Sequence, residues 1–165
     1  MKMVTTEMRK TTFAGMNFLQ IRDTLEAQGL DRHMPIELES TEVALITPEG
    51  IILQVRAQNE GIGLWGGSIE WGETPLEGAV RELAEETGLL LKEEQFTYVE
   101  THKHSHTYPN QDKAIFTAYR YVVRLDYIPK IRIDEESTGY VIIKELIDGI
   151  MKSDAEFVKQ LLASD

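Results

Sequence analysis

Residues 67 to 89 read GSIEWGETPLEGAVRELAEETGL, a glycine-bearing loop that runs into a segment carrying Glu82, Glu85 and Glu86. The pattern predicts a helix over 75–87. Thr74 caps its amino end, Pro75 suits the first helical position, Glu77 completes a capping box with Thr74, and Gly88 supplies a left-handed stop. At about 100° per residue, Glu85 falls about 60° to one side of Glu82 and Glu86 about 40° to the other, so the three carboxylates can converge on one small volume. Leu76, Ala79, Val80 and Leu83 form the apolar stripe that packs on a core, and the carboxylates are expected to look away from it. Oxygen ligands without sulfur or imidazole suit a hard divalent cation, Mg2+ or Mn2+, which keeps positions open for water and phosphate oxygens. Gly78 lies one turn before Glu82. Its missing side chain, at about 1 kcal/mol of helix propensity relative to alanine, leaves room for another backbone or a substrate.

A run of glutamates on a helix is ordinarily a solvated face. Here the residues around it also fall into a pattern: Gly67, Glu73, Arg81, Glu82, Leu83, Glu85, Glu86, Gly88 and Leu89 match all nine fixed positions of the Nudix box, and the chain resembles the Nudix hydrolases. The resemblance implies an α/β fold, a Nudix-like α/β/α sandwich with a mixed β-sheet. It implies that Glu82, Glu85 and Glu86 bind metal, and that Glu73 and Arg81 form an ion pair tying the loop to the helix and orienting the glutamates. Gly66 and Gly67 then border the substrate. Where the family commonly has Leu-Pro-Gly-Gly, this chain has Leu64-Trp65-Gly66-Gly67; Trp65 replaces the rigid proline and is a candidate to pack or to stack on substrate.

With 165 residues, 42% of them hydrophobic, the chain can bury one core. Cysteine is absent, which rules out disulfides, thiolate metal sites and cysteine nucleophiles and fits a reducing compartment. No apolar run approaches the length of a membrane span, and the polar start MKMVTTEMRK lacks a secretion signal's hydrophobic stretch, so the expected location is the cytoplasm, with no membrane partner. The formal charge of −11 argues against nucleic-acid binding, which needs basic surface. It also bears on the metal. A carboxylate-built site on an anionic protein accepts a polyphosphate only when divalent cations reverse the local sign.

Outside the box, residues 41–47 and 51–57 read as a hairpin around Pro48-Glu49-Gly50, with further strands near 96–105, 114–124 and 139–143. Residues 144–151 (KELIDGIM) and 153–164 suggest one or two helices, the second opened by a capping box of Ser153 and Glu156. Residues 1–40 form an N-terminal helical extension to a 41–165 catalytic domain. Its helix carries a stripe of Phe18, Ile21 and Leu25 with Leu19 beside it, Arg22 and Asp23 facing elsewhere and Gly29 as the stop. The extension packs on the same domain, serves as the arm of a homodimer, or covers the substrate.

Several further residues are candidates. His102, His104 and His106 share one face of a strand, but an i, i+2 spacing of roughly 6.5 to 7 Å is long for joint coordination. Trp65, Trp71, Phe96 and Tyr108 are the aromatic side chains that could stack on a base, though each is more often a core or rim residue. By analogy with the loop that delivers another carboxylate in many Nudix hydrolases, Glu136 or Glu135 is a candidate base or extra ligand.

The expected chemistry is metal-dependent hydrolysis of a diphosphate linkage in a nucleoside diphosphate derivative, a triphosphate or a nucleotide sugar. Glu85 and Glu86 hold metal, and Glu82 shares metal or accepts the proton of water. Two alternatives are an isopentenyl-diphosphate-isomerase-like enzyme, for which the catalytic cysteine is missing, and a silent nucleotide-binding module, for which a lost glutamate would be the usual mark. The expected substrate of the hydrolase is a small-molecule nucleotide.

Overall fold

A computed structural model describes residues 1 to 164, Asn59 by its backbone alone. In chain order the elements are α1 (Thr6–Lys10), α2 (Phe18–Ala27), β1 (Ile36–Thr47), β2 (Gly50–Arg56), β3 (Ile62–Gly63), β4 (Trp65–Ser68), α3 (Pro75–Thr87), β5 (Phe96–Thr107), β6 (Lys113–Arg124), β7 (Ser137–Ile143) and α4 (Lys152–Ala163). The strands form one mixed seven-stranded sheet in the order β3-β2-β1-β6-β5, with β4 paired to β1 and β7 paired to β2. The chain divides into two compact units, Met1–Glu39 with His102–Thr117 and Ser40–Thr101 with Ala118–Asp165.

The second unit contains the glutamate helix and is built by strand alternation. Val43, Leu45, Ile52, Tyr121 and Val123 point to one face of the sheet and pack with Trp65 and with Ala79 and Leu83 of α3. Their neighbours Ala44, Ile46, Ile51, Leu53 and Val122 point to the other face and pack with Phe157, Val158 and Leu161 of α4. Period-2 alternation on each strand therefore gives the sheet two buried faces, each covered by one amphipathic helix, the expected α/β/α layering. β1 is long enough for two partners: Leu45 to Thr47 pair antiparallel with Ile52 to Gly50, and Ser40 to Val43 pair antiparallel with Ser68 to Trp65.

Helix α3 has the predicted bounds, the Thr74–Glu77 capping box and Gly88 at φ 78°. The expected helix over 144–151 does not form. Gly149 takes φ 93°, its carbonyl accepts from the Ile62 N–H, and the Met151 N–H donates to the Ile62 carbonyl. The backbone of β3 thus satisfies these groups in an extended bridge, and tertiary hydrogen bonding overrides the local helical pattern. α4 begins at Lys152, with Met151 as a cap whose side chain accepts no hydrogen bond from the helix. The Ser153–Glu156 box does not form, and the Ser153 carbonyl instead accepts from Nη2 of buried Arg120.

The first unit has its own core of Val4, Phe13, Ile21, Leu25, Met34 and Ile36. α2 is opened by a reciprocal capping box of Asn17 and Gln20, and Gly29 follows it at φ 77°. Two expectations for this helix are corrected. Phe18 and Leu19 are exposed, at 43% and 64%, whereas Arg22 is buried and bonds the carbonyls of Arg32, Met34 and Lys113 with Asp112 at 3.2 Å from Nε. A guanidinium with five donors can be buried when carbonyls and a carboxylate surround it. Phe18 instead lies under the Arg9 guanidinium, 4.9 Å from the ring centroid.

Candidate active site

The loop before α3 is shaped by two glycines that do different things. Gly66, at φ 146°, lies so close to β1 that a Cβ would overlap the Thr41 carbonyl oxygen. Only glycine fits there, since both the backbone conformation and the contact exclude a side chain. Gly67, its neighbour, faces the helix: a Cβ on it would stand 2.7 Å from the carboxyl carbon and both oxygens of Glu82. The bare backbone is what lets that carboxylate rest against the loop.

Arg81 ties loop to helix. Its Nε donates to Glu73 Oε2 at 2.7 Å, and its Nη2 to Glu73 Oε1 at 3.0 Å and to the Ser68 carbonyl at 2.9 Å. Nη1 reaches Glu82 Oε1 at 3.0 Å and Glu85 Oε2 at 3.2 Å. The Arg81 hydrogen bonds hold the Glu73 carboxyl below its ordinary range, chiefly through this charge-assisted fork. The space at Gly78 is filled from within, because a Cβ there would meet Glu73 Oε1 at 3.1 Å and Thr41 Cγ2 at 3.4 Å. The loop, rather than a substrate, uses the gap in the helix surface.

Glu86 is 1% exposed, which corrects the expectation that all three glutamates look away from the core. The reason lies in helix geometry. The apolar stripe is centred about 110° from Glu82, so Glu86, at about 40° on the same side, borders the buried face, while Glu85 falls on the opposite flank. The side chain of Glu85 is accordingly 54% exposed. Glu86 Oε1 accepts from the Gly66 N–H at 2.6 Å and Oε2 from Gln54 Nε2 at 2.9 Å. Burial pushes its carboxyl up to about 8; the bonds from Gly66 and Gln54 oppose this, and the charges of Glu82 and Glu136 add to it. Glu82 is likewise raised by burial, against the pull of Arg81, and further by Glu85 and Glu136.

Glu82, Glu85, Glu86, Arg81, Gly66, Gly67 and Glu136 therefore come together in the second unit. Glu136 arrives from the segment before β7, where its N–H donates to Asp134 Oδ1 and its carbonyl accepts from the Ala57 N–H. The full convergence of oxygens expected from spacing is not present. Among the described residues no three His, Cys, Asp or Glu side chains stand at ligating geometry, because Glu82 and Glu85 take the Arg81 donors while Glu86 takes Gly66 and Gln54. The donor set still fits a hard divalent cation. It is all oxygen, the charge of Glu85 raises the Glu82 carboxyl and that of Glu82 raises the Glu86 carboxyl, and the Glu82 carboxylate lies in a cradle that a Cβ at Gly67 would fill.

The aromatic candidates separate. Trp65 is 0% exposed and its Nε1 donates to the Ile52 carbonyl at 2.9 Å, so it is a core residue and not a stacking platform. Its large ring fills the layer between sheet and α3 and its single polar atom is satisfied there. Phe96 is also buried, edge-on to Tyr121. Trp71 is exposed in the loop before α3. Tyr108 belongs to the first unit, where it meets His106 edge-on with ring centroids 4.5 Å apart. In that unit His104 stacks between His102 and Phe116, an arrangement of ring faces rather than of ligating nitrogens.

One residue absent from the sequence reading stands next to the site. Gln54 interrupts the apolar run IILQV and is 1% exposed; its Nε2 bonds Glu86 and, at 2.8 Å, Ser137 Oγ. A lone amide within an otherwise apolar strand is the signal that could have found it. On the other face of the sheet Arg120 lies among Glu42, at 2.8 Å, and Asp154, at 3.6 Å, and burial next to Glu42 raises the Asp154 carboxyl.

Residues 39–161 match the family model for the NUDIX domain. Among solved structures the chain is similar to the E. coli dihydroneopterin triphosphate pyrophosphohydrolase, with TM-score 0.62 and 19% identity over 77% of this chain and 96% of that one. It is similar to a MutT NUDIX hydrolase from Burkholderia pseudomallei, with TM-score 0.57 and 19% identity over 75% and 96%. A third is a bifunctional NMN adenylyltransferase/ADP ribose pyrophosphatase from Francisella tularensis, complexed with AMP and a manganese ion, with TM-score 0.56 and 18% identity over 87% of this chain and 45% of that one. At these identities the three likenesses show the fold. No helix among the described residues is long and apolar enough to cross a membrane.

Proposed function

Because the chain belongs to the Nudix family, with its domain over residues 39–161, we propose that it hydrolyses the diphosphate linkage of a nucleoside diphosphate derivative with the help of Mg2+ or Mn2+. The observation that carries this reading is the cluster itself: Glu82, Glu85 and Glu86 on one helix, with Gly67 bare beneath Glu82 and Glu136 close enough for its charge to raise both Glu82 and Glu86. Two relatives in fold support it in part: the E. coli pyrophosphohydrolase acts on a pterin triphosphate and agrees in the linkage, and the F. tularensis enzyme, holding AMP and a manganese ion, agrees in the nucleotide and the metal.

Glu82, Glu85 and Glu86 are the residues that would hold the cation. When bound there, Mg2+ or Mn2+ supplies Lewis acidity, lowering the pKa of water and offsetting the charge of the phosphates. The chain's own groups supply the remainder. Glu82 or Glu136 accepts the proton of the attacking water, each being a carboxylate near the cluster with an exposed or half-buried head. Arg81 positions Glu82 and Glu85, and in releasing their oxygens keeps its fork on Glu73. The Gly66 N–H and Gln54 amide orient Glu86. The leaving group is a phosphate or nucleotide whose bridging bond to phosphorus breaks in line with the attack.

A panel of nucleoside triphosphates and nucleotide sugars, incubated with the protein and Mg2+ or Mn2+, tests this by identifying the products: phosphate or pyrophosphate from a triphosphate, a nucleoside monophosphate and a sugar phosphate from a nucleotide sugar. Turnover that vanishes with chelator is the expected result. Nucleotide binding without product under both metals would replace the hydrolase by a silent binding module.

A further inference from the structure

Gln54 is a side chain for which apolar packing gives no reason. It sits at the centre of β2 between Leu53 and Val55, in register with Gly63 on one side and Tyr140 on the other. Its strand neighbours Ile51, Ile52 and Leu53 all enter the cores. A buried amide carries a desolvation cost unless both ends are bonded, and here Nε2 is bonded twice while Oε1 has no partner among the described residues. A leucine or methionine would fill the volume without that loss. The polar atom that is satisfied meets two groups, Glu86 Oε2 at 2.9 Å and Ser137 Oγ at 2.8 Å.

Those two groups come from different parts of the chain. Glu86 ends the glutamate helix, and Ser137 opens β7 directly after Glu136. Strand alternation sends Gln54 to the face that Ile52 shares with α3, so one amide spans helix, sheet and the start of β7. The other oxygen of Glu86 is fixed by the Gly66 N–H, so each oxygen has one donor and the carboxylate plane is set from both sides.

We propose that Gln54 is a positioning residue of the metal site: its amide fixes the carboxylate of Glu86 and, through Ser137, holds the segment that carries Glu136 at a set distance from it. This rests on the reading of Glu86 as a metal-binding residue. A carboxylate restrained by two hydrogen bonds loses less freedom on binding a cation, and outer partners of metal ligands commonly contribute about 10- to 100-fold in affinity.

The test uses the full chain and Mn2+ alone. Electron paramagnetic resonance of free Mn2+ gives the affinity of the parent, of Gln54→Met, which keeps volume and removes both N–H bonds, and of Gln54→Asn, which stays polar but withdraws the amide by one methylene. Circular dichroism melts establish folding, and kcat and metal dependence are measured in parallel. The expected result is a loss of Mn2+ affinity on the order of 10-fold or more in whichever variants fold, with turnover restored toward the parent's at high Mn2+. Parent-like Mn2+ affinity in a folded Gln54 variant overturns the proposal, since a purely structural role would change the melting temperature and leave the affinity alone. A parent chain that binds no Mn2+ overturns the metal reading and this inference with it. Parent binding with unaltered variants overturns this inference only.

Discussion

Arg81 and Glu73 meet as a two-pronged pair, Nε to Oε2 at 2.7 Å and Nη2 to Oε1 at 3.0 Å, across eight residues of chain that include the whole helix entry. The flat guanidinium can hold Glu73 with one edge while its remaining Nη1 reaches Glu82 and Glu85. A lysine offers a point charge and cannot do both. Arg81→Lys is therefore expected to lower kcat by about 10- to 100-fold while helix content by circular dichroism stays at the parent's level. A variant with parent-like kcat would remove Arg81 from the site.

Glu86→Gln retains shape and keeps a hydrogen-bond acceptor for the Gly66 N–H, but takes away the charge. If Glu86 holds the cation, turnover should drop by about two to four orders of magnitude, and the melting temperature in chelator should stay level or rise, because a buried carboxyl that must take up a proton or carry a charge has been replaced by an amide that does neither. Steady-state phosphate release and thermal melts on the same preparation read both. Turnover near the parent's refutes the assignment.

Adjacent glycines should fail in different ways. Gly66→Ala forces a Cβ into the Thr41 backbone at φ 146°, where nothing flexible can yield, so it is expected to destabilise the chain by roughly 2 kcal/mol or more. Gly67→Ala meets only the carboxylate end of Glu82. That side chain can swing aside, so turnover should fall with little change in denaturant midpoint. Equal effects on stability from the two substitutions would contradict the cradle.

The pH dependence of the metal-free chain follows from its raised carboxyls. Glu86 is pushed up to about 8 by burial and Asp154 is also raised, by burial beside Glu42. Between the ordinary carboxylate range and about 8 the folded state then holds protons that the unfolded state has released. Their stabilisation is complete at low pH and is lost as pH rises through that window. Melts in chelator are expected to decline from about pH 5 to about pH 8.5. A melting temperature that climbs across this interval would show that other groups dominate.

The glutamate helix is readable in the sequence because its determinants are local. Thr74, Glu77, Pro75 and Gly88 act within a turn of the helix ends, and the 82, 85, 86 spacing fixes directions around one axis. The partnership of Glu73 with Arg81 comes with the family resemblance. Other features depend on residues far away in sequence. The segment 144–151 has helical composition yet bridges to Ile62. Phe18 has the spacing of a core stripe and Leu19 lies beside it, yet both are exposed, while Arg22 is buried by three carbonyls from two separate segments. Trp65 is a stacking candidate by its place in the loop, and the Ile52 carbonyl takes its only donor.

The amino-acid sequence by itself determined the helix, its caps and the presence of three glutamates on one side, since capping bonds and the helical repeat span about four residues or fewer. Only the tertiary structure decided that Glu86 is sunk against Gln54 and Gly66 while Glu85 stays in water and Glu82 lies on Gly67. Those distinctions come from partners 15 to 32 positions away, and from which flank of the helix the sheet happens to cover. A periodic pattern sets the angles between side chains; what each one meets is set by the surfaces that folding brings to it.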